Sequence, residues 1–394
     1  MNGKPLIVHV LYRLDTGGME RIVVSLINAT HDRYRHAVIA LTGFGALRGE
    51  IEDTATACLA LDKKPGKDWP CYFRFWRALR ALQPDLVQTY NIGTLDLAPV
   101  VKLAGVRHLV HAEHGRDAAD PEGKNPKYLR LRRWLAPFID RYVAVAPDLR
   151  DWLTDNARIP RSKVVYIANG IDAAAFDVPR GEPAPRPQMG DLAPPGTVLV
   201  GHVARLDKVK DQATLISAFK SLQGDAGHTN CRLFIAGEGP QRDELERQIA
   251  ELGLADTVRL LGDRDDVAEL LAECDVFALS SVAEGMPVTV LEAMAARLPV
   301  VATDVGSVSL VVEAGVTGTL VPSGNPRAMA EALRAYVSDA VLRRRHGEAG
   351  HARVATRFSS GAMVAAYAAL YDGLLASGSA TRRMMSGAAE RKEN

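Results

Sequence analysis

The sequence predicts an α/β protein built as two doubly wound parallel-sheet domains, and three observations carry that prediction. Short apolar runs of strand length recur along the 394 residues, with helix-period segments between them. The alternation stops once, at a proline-rich segment, and then starts again. A chain of this length also exceeds what one hydrophobic core usually serves.

Residues 6–11 (LIVHVL) open the chain as a buried strand, which runs through Gly17 and Gly18 into a helical pattern over 22–28. Paired glycines at such a junction let the backbone approach a ligand closely. They do not form G-x-G-x-x-G, so a dinucleotide fingerprint is absent. Further strands fall at 36–41, 58–61, 85–90, 108–114, 142–146 and 164–168, with helices such as 72–82, 127–138 and 147–156 between them. Strands separated by helices imply right-handed βαβ units and a parallel sheet. This first domain is expected over 1–178, followed by a proline-rich linker over 179–196. The second domain, 197–358, places strands at 198–203, 232–236, 258–261, 276–279, 300–303 and 319–321. A helix over about 359–376 is expected to cross back onto the first domain, and the small, polar residues 377–394 to lack fixed structure.

A net charge of +1 excludes bulk attraction to nucleic acid. The four cysteines, Cys58, Cys71, Cys231 and Cys274, form no C-x-x-C pair and read as free thiols of a reducing compartment. The N-terminal apolar run is too short and too quickly charged for a signal peptide, and no uncharged run approaches membrane-spanning length. The expected location is cytoplasmic, with attachment to the inner face of a membrane left open.

The stretch 279–296 (LSSVAEGMPVTVLEAMAA) carries the densest chemistry. It reads as strand, turn and helix, with Glu284 and Gly285 in the turn and Pro287 at the first helical position. Backbone N–H groups of Val288, Thr289 and Val290 then face outward at the positive end of the helix dipole, a site for a diphosphate. Carboxylates beside such a site suit sugar and ribose hydroxyls better than the phosphate itself, and Glu284 and Glu292 are the candidates. The plainer reading makes both of them solvated surface acids.

Ligands of open parallel sheets bind at the strands' carboxyl ends. That rule selects Arg205 and Lys210, which could clamp a diphosphate, although isolated loop cations would look the same. It also selects His114, a candidate for a sugar hydroxyl or a proton step, over His111 on the opposite strand face. Gly237–Gly239 and Gly262 are turn formers first, and backbone there could read a nucleobase edge. The basic, aromatic-interleaved segment 124–134 (KNPKYLRLRRW) reads either as a dock for anionic lipid headgroups or as an ordinary charged helix face. No metal-site motif appears where the chemistry would need it, so neither a cofactor nor an obligatory metal is expected.

Taken in order, GGMER at Gly17, the strand ending in His114, NGID at Asn169, ARLDKVKD at Ala204, IAGEGPQRDEL at Ile235, VRLLGDRDDV at Val258, EGMPVTVLEAMA at Glu284 and ATDVGSVSLVVEAGVTGTLV at Ala302 resemble glycosyltransferase family 4 over nearly the whole chain. The resemblance implies the GT-B fold and a retaining transfer from a nucleotide diphosphate-sugar. It implies that Glu284 contacts donor-sugar hydroxyls, Glu292 the ribose, Arg205 and Lys210 the diphosphate, and Gly262 the base. It sets Gly17 and Gly18 near phosphate and acceptor, and His114 near the sugar; Gly285, Met286, Val288 and Thr289 complete the donor set. One departure stands out, because Leu310 occupies the position where the family usually has a glutamate. More narrowly, the chain looks like sugar transferases associated with bacterial exopolysaccharide systems.

The expected reaction moves a sugar, from a UDP-sugar by preference, to a saccharide or lipid-linked saccharide. The alternatives are a GT-B epimerase or phosphorylase and a non-catalytic sugar binder. An epimerase would turn over donor without acceptor, a phosphorylase would need phosphate or a pyridoxal cofactor, and a binder would ignore the nucleotide.

Overall fold

The computed structural model describes residues 3–117, 120–178, 188–223 and 230–390. It divides into two compact units, one running to Ala168 and resuming at Gly361, the other Asn169–Ser360. The division therefore falls before the NGID turn, where the sequence suggested a boundary at 178.

The first unit is a seven-stranded parallel sheet in the order β3-β2-β1-β4-β5-β6-β7. Its elements run β1 (Leu6–Leu11), α1 (Gly18–Thr30), β2 (Arg35–Ala40), β3 (Ala57–Ala60), α2 (Trp69–Leu82), β4 (Leu86–Tyr90), α3 (Ile92–Leu95) and α4 (Ala98–Leu103). They continue with β5 (His108–Glu113), α5 (Pro126–Leu135), β6 (Arg141–Ala144), α6 (Pro147–Asp155) and β7 (Val164–Tyr166). Both sheet faces are covered, so the strands are buried on both sides rather than alternately; β1, β4 and β5 are buried along their whole length, polar His9, Gln88, His111 and Glu113 included. α2 starts where the Asp68 carboxylate accepts from the Cys71 N–H, with a proline in the first turn.

The sheet of this unit also buries polar groups, and they are wired in one direction. Thr30 Oγ1 donates to the Leu26 carbonyl at 2.6 Å, so His36 Nε2, 3.0 Å away, must be the donor to that hydroxyl. His36 Nδ1 then accepts from His9 Nε2 at 3.1 Å, and His9 Nδ1 accepts from the Tyr90 hydroxyl at 2.8 Å. Both imidazoles are held neutral. Burial lowers His36 to about 4 and His9 well below its ordinary value.

The second unit is a six-stranded parallel sheet in the order β10-β9-β8-β11-β12-β13. Its elements run β8 (Val198–Val203), α7 (Gln212–Gln223), β9 (Cys231–Ala236), α8 (Arg242–Glu251), β10 (Val258–Gly262), α9 (Val267–Ala272) and β11 (Val276–Leu279). They continue with α10 (Val288–Ala295), β12 (Val300–Thr303), α11 (Val308–Val311), β13 (Gly318–Val321), α12 (Pro326–Ser338) and α13 (Ala340–Arg357). One face of this sheet closes over an apolar core that includes Val200, Ile216, Phe219, Leu233, Ile235, Val276 and Leu333. Of the expected linker, 179–187 lies outside the described residues; Met189 and Leu192 are buried, and Arg259 bonds the Met189 carbonyl.

The last helix, α14 (Ser360–Glu390), belongs from Gly361 to the first unit. Asp372 accepts from Arg33 and from the Tyr34 hydroxyl, and the Tyr371 hydroxyl donates to Gln88 on β4. Its backbone stays helical past Ser377, where the composition suggested an unstructured tail. Alanine, methionine and arginine in that stretch favour helix, and no proline stops it before Glu390; 391–394 lie outside the described residues. The four cysteines are free.

Candidate functional site

Because every strand of the second unit is parallel, the loops that follow β8, β9, β10, β11 and β12 leave the sheet at one edge. Arg205 follows β8, Gly237 follows β9, Gly262 ends β10, Glu284 follows β11 and Gly306 follows β12. Backbone contacts knit these loops together. The Gly237 N–H donates to the Gly262 carbonyl at 2.7 Å, and the Val282 N–H donates to the Val209 carbonyl at 2.8 Å. Gly306, at φ +55°, packs so close that an added Cβ would sit 1.9 Å from the Glu284 carbonyl oxygen.

Two of the expected residues meet directly. Lys210 Nζ lies 2.6 Å from Glu284 Oε1, with only 8% of the glutamate side chain and 24% of the lysine side chain exposed. The Ser281 hydroxyl donates to the same carboxylate oxygen at 2.6 Å, and the Ser280 hydroxyl holds the Lys210 carbonyl at 2.9 Å. A lysine paired with a carboxylate at a half-buried rim is a preset cation, for which an incoming anion could compete.

Arg205 is placed on the same rim but not in that pair. Its guanidinium reaches Asp207 at 2.8 Å and is largely exposed. Its backbone, by contrast, is braced. His202 Nδ1 donates to the Ala278 carbonyl at 2.9 Å, so its Nε2 is left to accept from Gln212 at 3.3 Å, and Gln212 also donates to the Arg205 carbonyl at 3.0 Å. Burial lowers His202 to about 4, which fixes that neutral tautomer.

Helix α10 begins at Val288, and Pro287 stands at its N-cap rather than at the first helical position. No side chain caps that end, so the N–H groups of the first turn have no side-chain acceptor. Val288 is buried and Thr289 partly so. Met286 is buried and its carbonyl accepts from Asn169 at 3.1 Å, while the Gly285 carbonyl accepts from the Ser307 N–H. Glu292 is buried within the helix rather than displayed on an open surface, which removes the reading of this residue as a solvated acid. Where the family usually has a glutamate, Leu310 sits in α11, and Arg353 clasps the carbonyls of Leu310 and Val311 and the Glu313 carboxylate.

In the first unit His114 follows β5, and its N–H is held by Asn91 at 2.7 Å. Both ring nitrogens are enclosed without a hydrogen-bond partner, and burial lowers the imidazole to about 4. It is therefore a neutral ring with one donor and one acceptor unused. His111 is committed elsewhere, to Thr89 at 2.8 Å and beside Glu113 at 3.4 Å. Gly17 is the N-cap of α1 and Gly18 its first residue, and the Glu20 side chain folds over Gly17. Gly17 is in extended backbone that any residue adopts. Among the described residues no cluster of three His, Cys, Asp or Glu is arranged to hold a metal.

Sequence reasoning missed Ser281, Asn169 as a brace for Met286, and the Gln212 to His202 chain. NGID was visible as a motif, but nothing in its spacing says that its asparagine meets a residue more than a hundred positions later.

Residues 16–175 match the model of Glycosyltransferase Family 4, and residues 191–353 match the model of Glycosyl transferases group 1. The chain is 27% identical over 369 residues to the lipopolysaccharide core biosynthesis glycosyltransferase LpsD of Rhizobium meliloti, covering 93% of this chain and 98% of that one. It is 31% identical over 310 residues to the exopolysaccharide phosphotransferase SCO2592 of Streptomyces coelicolor, covering 78% of this chain but only 30% of that protein's length. Among solved structures, Anabaena Alr3699/HepE in complex with UDP-glucose superposes with a TM-score of 0.80 at 24% identity, over 93% of this chain and 99% of that one. At that identity the likeness speaks for the fold, and the fold is GT-B.

Proposed function

A chain whose two halves match these family models in order belongs to the family 4 glycosyltransferases, and from that premise we propose that it takes a UDP-sugar as donor and transfers the sugar with retained anomeric configuration. The observation that carries the reading is the Lys210–Glu284 pair beside the uncapped start of α10. The diphosphate lies on the first-turn N–H groups of α10, including those of Val288 and Thr289, and draws Lys210 toward it; Arg205 swings from Asp207 to a phosphate oxygen. Glu284, released from lysine, accepts from sugar hydroxyls. Glu292 holds the ribose, and backbone at Gly262 lines the base. In the first unit, Gly17 and Gly18 are assigned to the acceptor side.

The chemistry follows from the groups present. The bond between the anomeric carbon and the diphosphate oxygen breaks, and the acceptor oxygen forms its bond on the same face. The acceptor proton passes to the departing diphosphate, whose charge Lys210, Arg205 and the helix absorb. These cations let the transfer proceed without an obligatory metal. His114, neutral across the physiological range, donates to and accepts from sugar hydroxyls and carries no charge of its own.

The names of the relatives direct the proposal for the product toward bacterial surface polysaccharide, built on a saccharide or lipid-linked saccharide in the cytoplasm. A panel of nucleotide sugars read by thermal shift and by transfer in the presence of chelator tests all of this. A ligand at 100 times its dissociation constant stabilises by about 2.7 kcal/mol. A response to UDP-sugars over GDP- and ADP-sugars, with product formed in chelator, is the expected result; no response to any nucleotide sugar overturns it.

A further inference from the structure

Three neighbouring helices of the first unit, α2, α4 and α5, combine exposed aromatic and aliphatic side chains with cations and contain no acid; the acids of this face lie at its margins, on α6 (Asp148, Asp151 and Asp155) and at Asp96, which accepts from Tyr72. The crossovers β3 to β4, β4 to β5, β5 to β6 and β6 to β7 all run the same way across the sheet, so α2, α4, α5 and α6 lie on one face of it. The first three are neighbours as well: α2 packs on α4, and α4 packs on the turn Ala136–Phe138 that ends α5. Their sequences, WPCYFRFWRALRAL, APVVKL and PKYLRLRRWL, contain eight cations and no aspartate or glutamate. The whole chain nets only +1, so charge is segregated here.

Outward from this layer stand Trp69 at 72% exposure, Leu103 at 76% and Trp134 at 69%, with Phe73 and Phe138 beside them. Trp69 and Phe73 are four apart, and Phe73 stacks on Trp76, so they form one stripe of α2 that continues into Arg77 and Arg80. Lys127, Arg130 and Arg133 line the exposed side of α5. Not every cation takes part, since Arg132 turns inward to Glu113 and Lys102 is held by Asp140.

We propose that this layer is a docking surface for an anionic lipid bilayer, with Trp69, Phe73, Leu103, Trp134 and Phe138 entering the headgroup region and Arg77, Arg80, Lys127, Arg130 and Arg133 meeting lipid phosphates. Charge complementarity selects the occupant. A second copy of this chain would set cations against cations. A nucleic acid would satisfy the cations but leave Leu103 and the aromatic edges without an apolar medium, whereas the lipid interface accepts ring, chain and cation together. The proposal uses none of the residues assigned to the donor and stands whether or not the donor assignment does.

Vesicle flotation of the full chain tests it, comparing pure phosphatidylcholine with phosphatidylcholine containing about one third phosphatidylglycerol, at low and high salt. Each cation near such a surface contributes about a fivefold gain in partition, so reversing three of them in Lys127→Glu/Arg130→Glu/Arg133→Glu lowers partition by about 100-fold or more. Trp69→Ser/Trp134→Ser lowers it by about tenfold and leaves the salt dependence in place. All five substitutions are at exposed positions, and an unchanged melting temperature and nucleotide response certify the folded state. Equal binding to neutral vesicles, wild-type partition in both variants, or no binding at all overturns the proposal. So does a dimer in light scattering that Trp69→Ser/Trp134→Ser dissolves, which gives the face to a second copy, or capture by an oligonucleotide that vesicles fail to displace.

Discussion

The two units share an architecture and differ in where they keep their polar groups. The first buries them under and within its sheet: His9, His36, Gln88, His111, Glu113 and Arg132 are all nearly inaccessible. The second packs an apolar core on one sheet face, buries fewer ionisable groups (His202, Glu292 and His346 among them), and places Lys210, Glu284 and Arg205 along the rim where its strands end. The difference separates two jobs. A rim of charges on a stiff apolar core can exchange partners when a ligand arrives, without disturbing the core. Buried polar groups that satisfy one another fix a single arrangement and are costly to disturb.

The sharpest way to break the comparison is Arg132→Met. Arg132 Nε sits 2.6 Å from Glu113 Oε1, both side chains are buried, and the guanidinium lies over the Trp152 ring. Burial pushes the Glu113 carboxyl up, but Arg132 and His111 outweigh it and hold it at about 2. Removing the arginine strands a buried charge, at a cost of about 3–5 kcal/mol. Hydrogen exchange should then speed up across the first unit and spare the second; equal loss in both would show that their interiors are not independent.

Lys210→Ala tests the rim. The expected loss is about 10²–10³-fold in transfer rate, as for removal of one charge-stabilising donor, with little change in melting temperature. A large fall in stability instead would mean that the lysine is structural. Gly306→Ala is the milder probe of the same edge: at φ +55° and against the Glu284 carbonyl, a methyl group displaces the glutamate loop at a cost of about 1–3 kcal/mol. Donor titration should show weaker binding by the corresponding factor, and unaltered binding would uncouple the loop from the donor.

The smallest effect is titration. His36 and His114 in the first unit and His202 in the second are each lowered by burial to about 4, and His9 lies well below its ordinary value. Depressed pKa values mean that the unfolded chain binds these protons first. The stability they contribute is full above about pH 6.5 and is lost as pH falls through about 4. Each such proton contributes a slope of about 1.4 kcal/mol per pH unit. With more of these groups, the first unit should lose protection at higher pH than the second. Exchange measured between those limits decides it, and simultaneous loss would contradict the contrast.

The strands were legible in the sequence because both faces of each sheet are covered, which makes β11 a continuous apolar run and leaves β1 broken only by His9. His114, Arg205, Lys210 and Glu284 were legible because chain order alone sets them just past strand ends. The segment 124–134 shows the limit. Its cations look alike in one dimension, yet Arg132 is buried against Glu113 while Arg130 and Arg133 are exposed. Helical phase relative to a sheet decides between them, and that phase is tertiary. The same holds for Gly306, whose tight approach to Glu284 depends on two loops meeting.

Helix α14 brings Tyr371 and Asp372 against a sheet begun in the first ninety residues, through Gln88 and through Arg33 and Tyr34. On the ribosome, then, the earliest-made unit is the last to be finished. Its half-covered sheet must wait while all of the contiguous second unit emerges and folds, so a nascent chain passes through a long interval in which its N-terminal portion is most open to chaperones and to misassembly.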